Sequence, residues 1–592
     1  MKNLLSLLII LFSICGFSQN EQLSQNYFDR GDFEKALLGY EELLKSQPSN
    51  GMYFQRQIEC LQQLSQFEKA QTLLKNRINI YKQPNLLVEI GYNYQLQKNQ
   101  VKANDFYEQA IETIKQNPSN VYGVATLFER KVLLELSLKA YKTAIEKQPD
   151  MNFNYQMGML YGQLGNTDLM IEKLLVEAQA NPQNSIMVQS QLTRFMQEDT
   201  SDNFAQILKK SLLIRAQKSQ DLVWNQYLSW FFVQQKEYGK AFIQEKAIYK
   251  RDPESFYNIV NLAALSAEEG QFDTAANILN FILQNANNID LKIQSHTSLQ
   301  EIKINRSTPA ENPLIIAEFE RLFTEFGLGT NSLSLQILYA NFLTFKAKNP
   351  EQSRAILKNC LLLPINKYQE AEVKMQLADV LLFEEKFNQA QILYTQIQED
   401  LSQDEVGNEA SLKAAKTSYY KGEFDWALQQ FKALKSASSQ LIANDALELY
   451  LLINDSKNSD STFVALKKFA KGDYQLYQKK SAEALALFQS ILKENKGDEI
   501  EPAALIRVGK IYESNNDFTN ALLQYEAIIS NHKDAIYADE ALFFAAEIFL
   551  NKLNLPEKAK PMYEKIIFEH QDSIFFVEAR TKFRQIRGDK TL

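Results

Sequence analysis

The chain has 592 residues, several times the ~100–200 of an ordinary domain, so it is either multidomain or a repeat array. It is 45% hydrophobic, 23% charged and 11% aromatic, and its 19 Gly and 13 Pro argue against long disordered stretches and against a turn-rich all-β fold, so helix is expected. With 64 basic and 72 acidic residues the net charge is −8, which leaves no global positive field to hold nucleic acid or an anionic membrane.

The first element in chain order is MKNLLSLLIILFSICGFSQNEQ, one early Lys followed by an apolar run from Leu4 to about Phe17. Small residues at Gly16 and Ser18 predict a secretory signal over residues 1–18, cleaved between Ser18 and Gln19. The run is shorter than the ~20 residues that span a bilayer, and no second apolar run approaches that length. Cys15 follows Ile14, where a lipidation signal would have Gly or Ala, so lipidation at Cys15 is not expected. The mature chain then keeps Cys60 and Cys360, too few for a disulfide framework and best read as small buried hydrophobes.

From residue 30 onward one unit is reused. RGDFEKALLGY (30–40), LSQFEKAQTLL (64–74), QKEYGKAFIQE (235–245), EGQFDTAANIL (269–279), EEKFNQAQILY (384–394), YKGEFDWALQQF (420–431) and NNDFTNALLQY (515–525) each place an aromatic three residues before an Ala. The aligned Ala lie 34 apart from Ala36 to Ala70 and from Ala241 to Ala275, 33 from Ala70 to Ala103, 37 from Ala390 to Ala427 and 38 from Ala521 to Ala559. At Ile90-Gly91 with Tyr94, Ala103, Tyr107 and Ala110, at Met157-Gly158 with Tyr161 and Pro182, and at Val508-Gly509 with Tyr512, Ala521, Tyr525 and Ile528, the sequence resembles the tetratricopeptide repeat family. About thirteen copies of varying quality cover most of the mature chain. The resemblance implies an all-α fold, an α-solenoid of stacked antiparallel helix-turn-helix repeats forming a superhelix.

The physics of the unit supports the same reading. Gly91 or Gly509 and the aligned Ala remove bulk where two helices cross at ~8–10 Å. Gly31, Gly270 and Gly422 fall where a positive φ closes the turn between helices. Pro48, Pro149, Pro182 and Pro253 stop the second helix, because Pro disfavours helical geometry in the residue before it.

Two regions depart from the period. Residues 291–335 carry the turn formers NRSTPAENP and FGLGTNS and mark an irregular or degenerate-repeat connector between an N-terminal solenoid, 19–290, and a C-terminal one, 336–592. INDSKNSDS, 453–461, reads as a solvated loop, since Ala427 to Ala484 is 57 residues and not a multiple of the period. At the C-terminus, Tyr525, His532 and Ala541 align with Tyr563, His570 and Ala579 at a spacing of 38. That longer unit resembles envelope tetratricopeptide proteins of the Tol-Pal-associated and outer-membrane-assembly lipoprotein types.

No stretch carries recognisable site chemistry. His296, His532 and His570 fit no zinc spacing, no phosphate loop occurs, and Gly327 and Gly329 form a lone GxG, so no catalytic, metal or cofactor residues are predicted and the chain is read as non-enzymatic. The family's frame implies a concave groove for protein or peptide, lined by Tyr92, Tyr155, Met159, Lys416, Tyr419 and Lys510. Trp426 stands where other copies have polar residues and is expected to mark an outer contact surface. The resulting expectation is an exported, periplasmic or outer-membrane-associated scaffold that binds protein without catalysis. The alternatives are a structural subunit of an envelope assembly or secretion complex, and an enzyme of unrecognised mechanism.

Overall fold

The structure is a computed structural model and describes residues 20–199, 203–219, 221–253, 255–402, 404–435, 439–459 and 462–588. The expected signal, with Cys15, Ser18 and Gln19, lies outside the described residues. Helices follow one another with no strand among the described residues, so the fold is an all-α solenoid. Two compact units divide at residues 196–212, an N-terminal one up to Met196 and a C-terminal one from Leu212, the residues between being shared out between them. The division therefore falls away from 291–335, where helices Ile289–Arg306, Asn312–Phe326 and the start of Leu333–Phe345 occupy the expected connector.

Each repeat folds as helix, tight turn, helix. In the N-terminal unit the pairs are Gly51–Gln63 with Phe67–Tyr81, Asn85–Leu96 with Gln100–Gln116, Val121–Arg130 with Leu134–Lys147, and Asn154–Gln163 with Thr167–Ala180. All nine aligned alanines, Ala36, Ala70, Ala103, Ala241, Ala275, Ala390, Ala427, Ala521 and Ala559, are completely buried, which is where a side chain no larger than methyl lets helices cross closely. Gly91 faces the Tyr107 ring, so that a Cβ on it would lie 2.5 Å from Cε1. Gly472 faces Phe488 in the same way, and Gly509 faces Tyr525 more closely still.

The stops work as the sequence implies. Gln47, Gln148, Asn181 and Asp252, each preceding a Pro, cap their helices at φ between −131° and −144° with ψ between 69° and 88°, outside helical geometry. The turn position takes Gly31, Gly165, Gly270 and Gly422 at φ +72° to +85°. In other copies the left-handed residue is Ser65, Lys98, Val132, Lys236, Glu385, Lys479 or Asn516.

In the C-terminal unit the pair Lys367–Phe383 with Phe387–Asp400 is followed by Glu405–Lys421 with Phe424–Leu434, and then by a single helix, Gln440–Ser459. The predicted loop at 453–461 is therefore corrected, because residues 453–459 are the last turns of this helix. Its 20 residues also explain the 57-residue interval, as one unpaired helix inserted between two ordinary copies. Pairing resumes with Val464–Tyr477 against Ser481–Glu494 and Glu501–Ser514 against Phe518–Asn531. The 38-residue copy has a similar local cause: helix Ala538–Glu547 runs on into a π-helical turn, Ile548–Lys552, before Pro556–Glu569.

The inserted helix changes what touches what. Helix Val464–Tyr477 folds back onto earlier repeats: Tyr474 and Tyr477 donate their hydroxyls to the carbonyls of Leu382 and Asp379, each at 2.7 Å. Gln478 Nε2 donates to Phe383 O at 2.8 Å, and Lys348 Nζ to Gln478 O at 3.0 Å across 130 residues of chain. A solenoid in which each repeat meets only its neighbours would contain none of these bonds.

Candidate functional site

The first helices of successive pairs lie side by side, and the candidate residues belong to that layer. In the N-terminal unit Tyr92, Tyr155 and Met159 are half-buried on helices Asn85–Leu96 and Asn154–Gln163. Lys131 Nζ stands 4.5 Å from the Tyr92 ring centre while pairing with Glu89 at 2.8 Å, a buried ion pair that also takes a hydrogen bond from Gln62. Arg130 reaches across two repeats to Gln55 at 3.2 Å, so this face curves inward. Tyr122, which the sequence reading missed, is 61% exposed on the intervening helix, its edge against Phe153. Its only signal is an aromatic residue opening a first helix.

The C-terminal unit treats its candidates differently. Tyr419 is completely buried and donates its hydroxyl to Asp473 Oδ2 at 3.1 Å, so the expectation that it lines an open groove is corrected. The fold-back of helix Val464–Tyr477 is the physical reason, since Asp473 arrives on that helix and covers Tyr419. Lys416 pairs with Asp445 at 2.8 Å, and Lys510 pairs with Glu540 at 2.6 Å with its ammonium 5.1 Å from the Phe544 ring. Both lysines are half-buried and already partnered within the chain.

These pairs belong to a wider pattern. Lys413 binds Asp379 and Arg507 binds Asp473, both at 2.9 Å and both 34 residues apart, one repeat length. Arg507 also binds Glu448 through Nη2 at 3.0 Å. Asp379 accepts from the Tyr394 hydroxyl as well. Charges of opposite sign on equivalent first-helix positions thus neutralise one another between repeats. Their sequence signal is a pair of opposite charges at the repeat spacing. Burial alone would raise the Glu448 carboxyl, but the facing Arg507 guanidinium overrides it and holds the group below its ordinary value.

Around this network a cavity of about 320 Å³ opens between helices Glu405–Lys421, Gln440–Ser459, Val464–Tyr477 and Glu501–Ser514. Tyr420, Tyr477, Asp445, Glu448, Asp473 and Arg507 are among its walls. The Tyr420 ring lies 5.5 Å from Tyr474 and 6.1 Å from Tyr477, an aromatic cluster beside the carboxylates.

Elsewhere, Trp426 is 57% exposed on helix Phe424–Leu434, with Ala427 and Phe431 buried on the opposite side. His532 and His570 are the residues that end their helices. Among the described residues no group of three or more His, Cys, Asp or Glu is placed to hold a metal ion, and no helix is long and apolar enough to cross a membrane.

Comparison with known proteins places one part of the chain. Residues 469–541 match the tetratricopeptide repeat family model, a span that runs from the fold-back helix through helix Glu501–Ser514 to the start of the next pair. No curated protein matches the chain. Among solved structures, the chain is similar to Naa15/Naa10 bound to HypK-THB, at 12% identity and a TM-score of 0.29 over 96% of each chain. It is also similar to yeast Tom70, at 16% identity and a TM-score of 0.29 over 82% of this chain and 97% of that one. A third is the APC/C hetero-tetramer Cut9-Hcn1, at 12% identity and a TM-score of 0.24 over 92% and 98%. The match to the tetratricopeptide repeat family is confined to residues 469–541, and the helix pairs on either side of that segment share its helix-turn-helix form.

Proposed function

We propose that the chain is an exported, non-catalytic scaffold that binds a protein or peptide through the first-helix face of its N-terminal unit. The observation that carries this reading is the set of partly or fully exposed aromatic and sulfur side chains there, Tyr92, Tyr122, Tyr155 and Met159, on a face that curves inward. Tyr offers a large apolar area and a hydroxyl at low entropy cost, and Met adapts to irregular partners. Site-specific photocrosslinking in cells tests it. A photoreactive residue at position 155 or 122 should capture a discrete partner, whereas one at buried position 419 should capture none. Absence of adducts from both open positions would sink the assignment.

Export rests on the predicted signal at residues 1–18, and the envelope setting on the resemblance of the C-terminal copies to Tol-Pal-associated and outer-membrane-assembly proteins. Mass spectrometry of the purified protein from cells should find Gln19 as the first residue, and an intact Met1 would overturn export. A second reading, a structural subunit held by the C-terminal repeats, is favoured by exposed apolar residues there, Phe568 at 67%, Ile574 at 62% and Val577 at 74%. Charge substitutions at those three positions should then release the protein from its complex while leaving adducts at position 155 intact.

A further inference from the structure

We propose that the cavity on the first-helix face of the C-terminal unit is a receptor for a cationic side chain, the ammonium or guanidinium of a partner polypeptide. This deepens the scaffold reading and rests on it, but it concerns a different surface from Tyr92, Tyr122, Tyr155 and Met159.

The charge balance of the walls selects the ligand. Lys416 and Arg507 face Asp445, Glu448 and Asp473, two cations against three carboxylates. Arg507 is committed, its Nε to Asp473 and its Nη2 to Glu448, and lies deep with its side chain 16% exposed. Asp473 is deeper still at 11% and uses both oxygens, for Arg507 and for the Tyr419 hydroxyl. Glu448 and Asp445 stand nearer the mouth at 31% and 41%, and each uses one oxygen, Oε1 for Arg507 and Oδ2 for Lys416. Their other oxygens are acceptors facing a site that already carries excess negative charge. An incoming anion would meet three carboxylates whose counter-charges are taken, and an incoming cation meets two free acceptors.

Two further features fit such a side chain. The walls include Tyr420 and Tyr477, whose ring centres are 6.1 Å apart, and a cation held within ~6 Å of such rings is attracted to their π faces. At about 320 Å³ the cavity is at the lower end of the ~300–1,000 Å³ of small-ligand pockets, room for one side chain and not for a helix.

The test is binding of fluorescent decapeptides to the full mature chain. One carries two Lys in a neutral Gly/Ser background, a second replaces Lys by norleucine, and a third replaces it by Glu; spermidine serves as a free amine. The Lys peptide should bind at least tenfold more tightly than either relative. Asp445→Asn should weaken it about five- to tenfold. Lys416→Gln, by removing the cation that competes for Asp445, should strengthen it several-fold. Opposite signs for two neighbouring, partly exposed substitutions are not produced by a general loss of folding, and unchanged helical circular dichroism checks that directly. Equal binding of the norleucine peptide, preference for the Glu peptide, or weaker binding in Lys416→Gln would overturn the proposal. Spermidine binding more tightly than the Lys peptide would overturn its polypeptide half. If crosslinks at position 155 persist in any of these cases, the scaffold reading stands while this one falls.

Discussion

Gly91→Ala isolates the packing rule on which the repeat depends. A methyl on Gly91 would lie 2.5 Å and 2.6 Å from Tyr107 Cε1 and Cδ1 and 3.0 Å from the carbonyl oxygen of Ala103. The ring has little freedom to retreat: Tyr107 is 2% exposed, its hydroxyl donates to Gln95 at 2.8 Å, and its face meets the Phe128 edge at 5.6 Å. Overpacking of this kind costs about 1–3 kcal/mol, against which Ala gains roughly 0.5–1 kcal/mol over Gly in a helix. At the middle of those ranges the net is a local loss of about 1 kcal/mol, a factor of roughly 5 in the opening equilibrium. Hydrogen exchange read by mass spectrometry should show peptides from residues 85–116 exchanging faster by that factor, with peptides from the C-terminal unit unchanged. Gly239→Ala is the control, an exposed helical Gly with nothing within 4 Å of the added methyl, and it should slow local exchange by about 0.5 kcal/mol. If Gly91→Ala is neutral or protective like the control, close approach of Gly to the aromatic ring is not what holds the pair together.

Three other outcomes follow from the same structure. Val132 occupies the turn position at φ +58° while 74% exposed, a β-branched residue in left-handed geometry with no packing to lose. Val132→Gly should therefore stabilise the helix pair around it by about 1 kcal/mol, relief of roughly 1–2 kcal/mol of strain less the entropy of Gly; faster exchange in residues 121–147 would contradict this. Glu448 is held below its ordinary value of 4.5, so its contribution to folding is complete above that pH and is lost as the pH falls through the lower folded value. The acid sensitivity of exchange in residues 440–514 should accordingly flatten in Glu448→Gln, and an unchanged pH profile would refute the role given to Arg507. Burial pushes the Cys60 thiol up to about 12 and the Cys360 thiol up to about 11. Neither should take up iodoacetamide at pH 8 in the folded chain, and both should react in denaturant.

The local grammar of the repeat was legible from the sequence because it acts over one or two helical turns. An aromatic three residues before an Ala specifies which face a second helix buries, a Pro disfavours helical geometry in the residue before it, and a Gly permits the left-handed turn. Those causes are short-ranged, and the burial of the seven aligned alanines that carry this aromatic follows from them. Trp426 was legible for a related reason, since a position that is polar in every other copy is one the fold leaves outside.

What the tertiary structure decided concerns elements far apart in the chain. INDSKNSDS reads as a loop by composition, yet its first seven residues extend a helix whose buried side, Leu449, Leu452 and Ile453, lies just before or at the start of that run. That single unpaired helix sends Val464–Tyr477 back over earlier repeats, and a bond from Tyr477 to Asp379 spans 98 residues, beyond the reach of any periodicity. Tyr419 was placed on the correct layer but judged by its repeat position alone; whether that layer is open or covered depends on which distant helix lies upon it. The same folding-back gathers Arg507, Asp473, Glu448 and Tyr419 into one hydrogen-bonded network, with Tyr420 beside it. The period assigns each of these residues to a repeat, and only the packing of non-neighbouring repeats makes them a site.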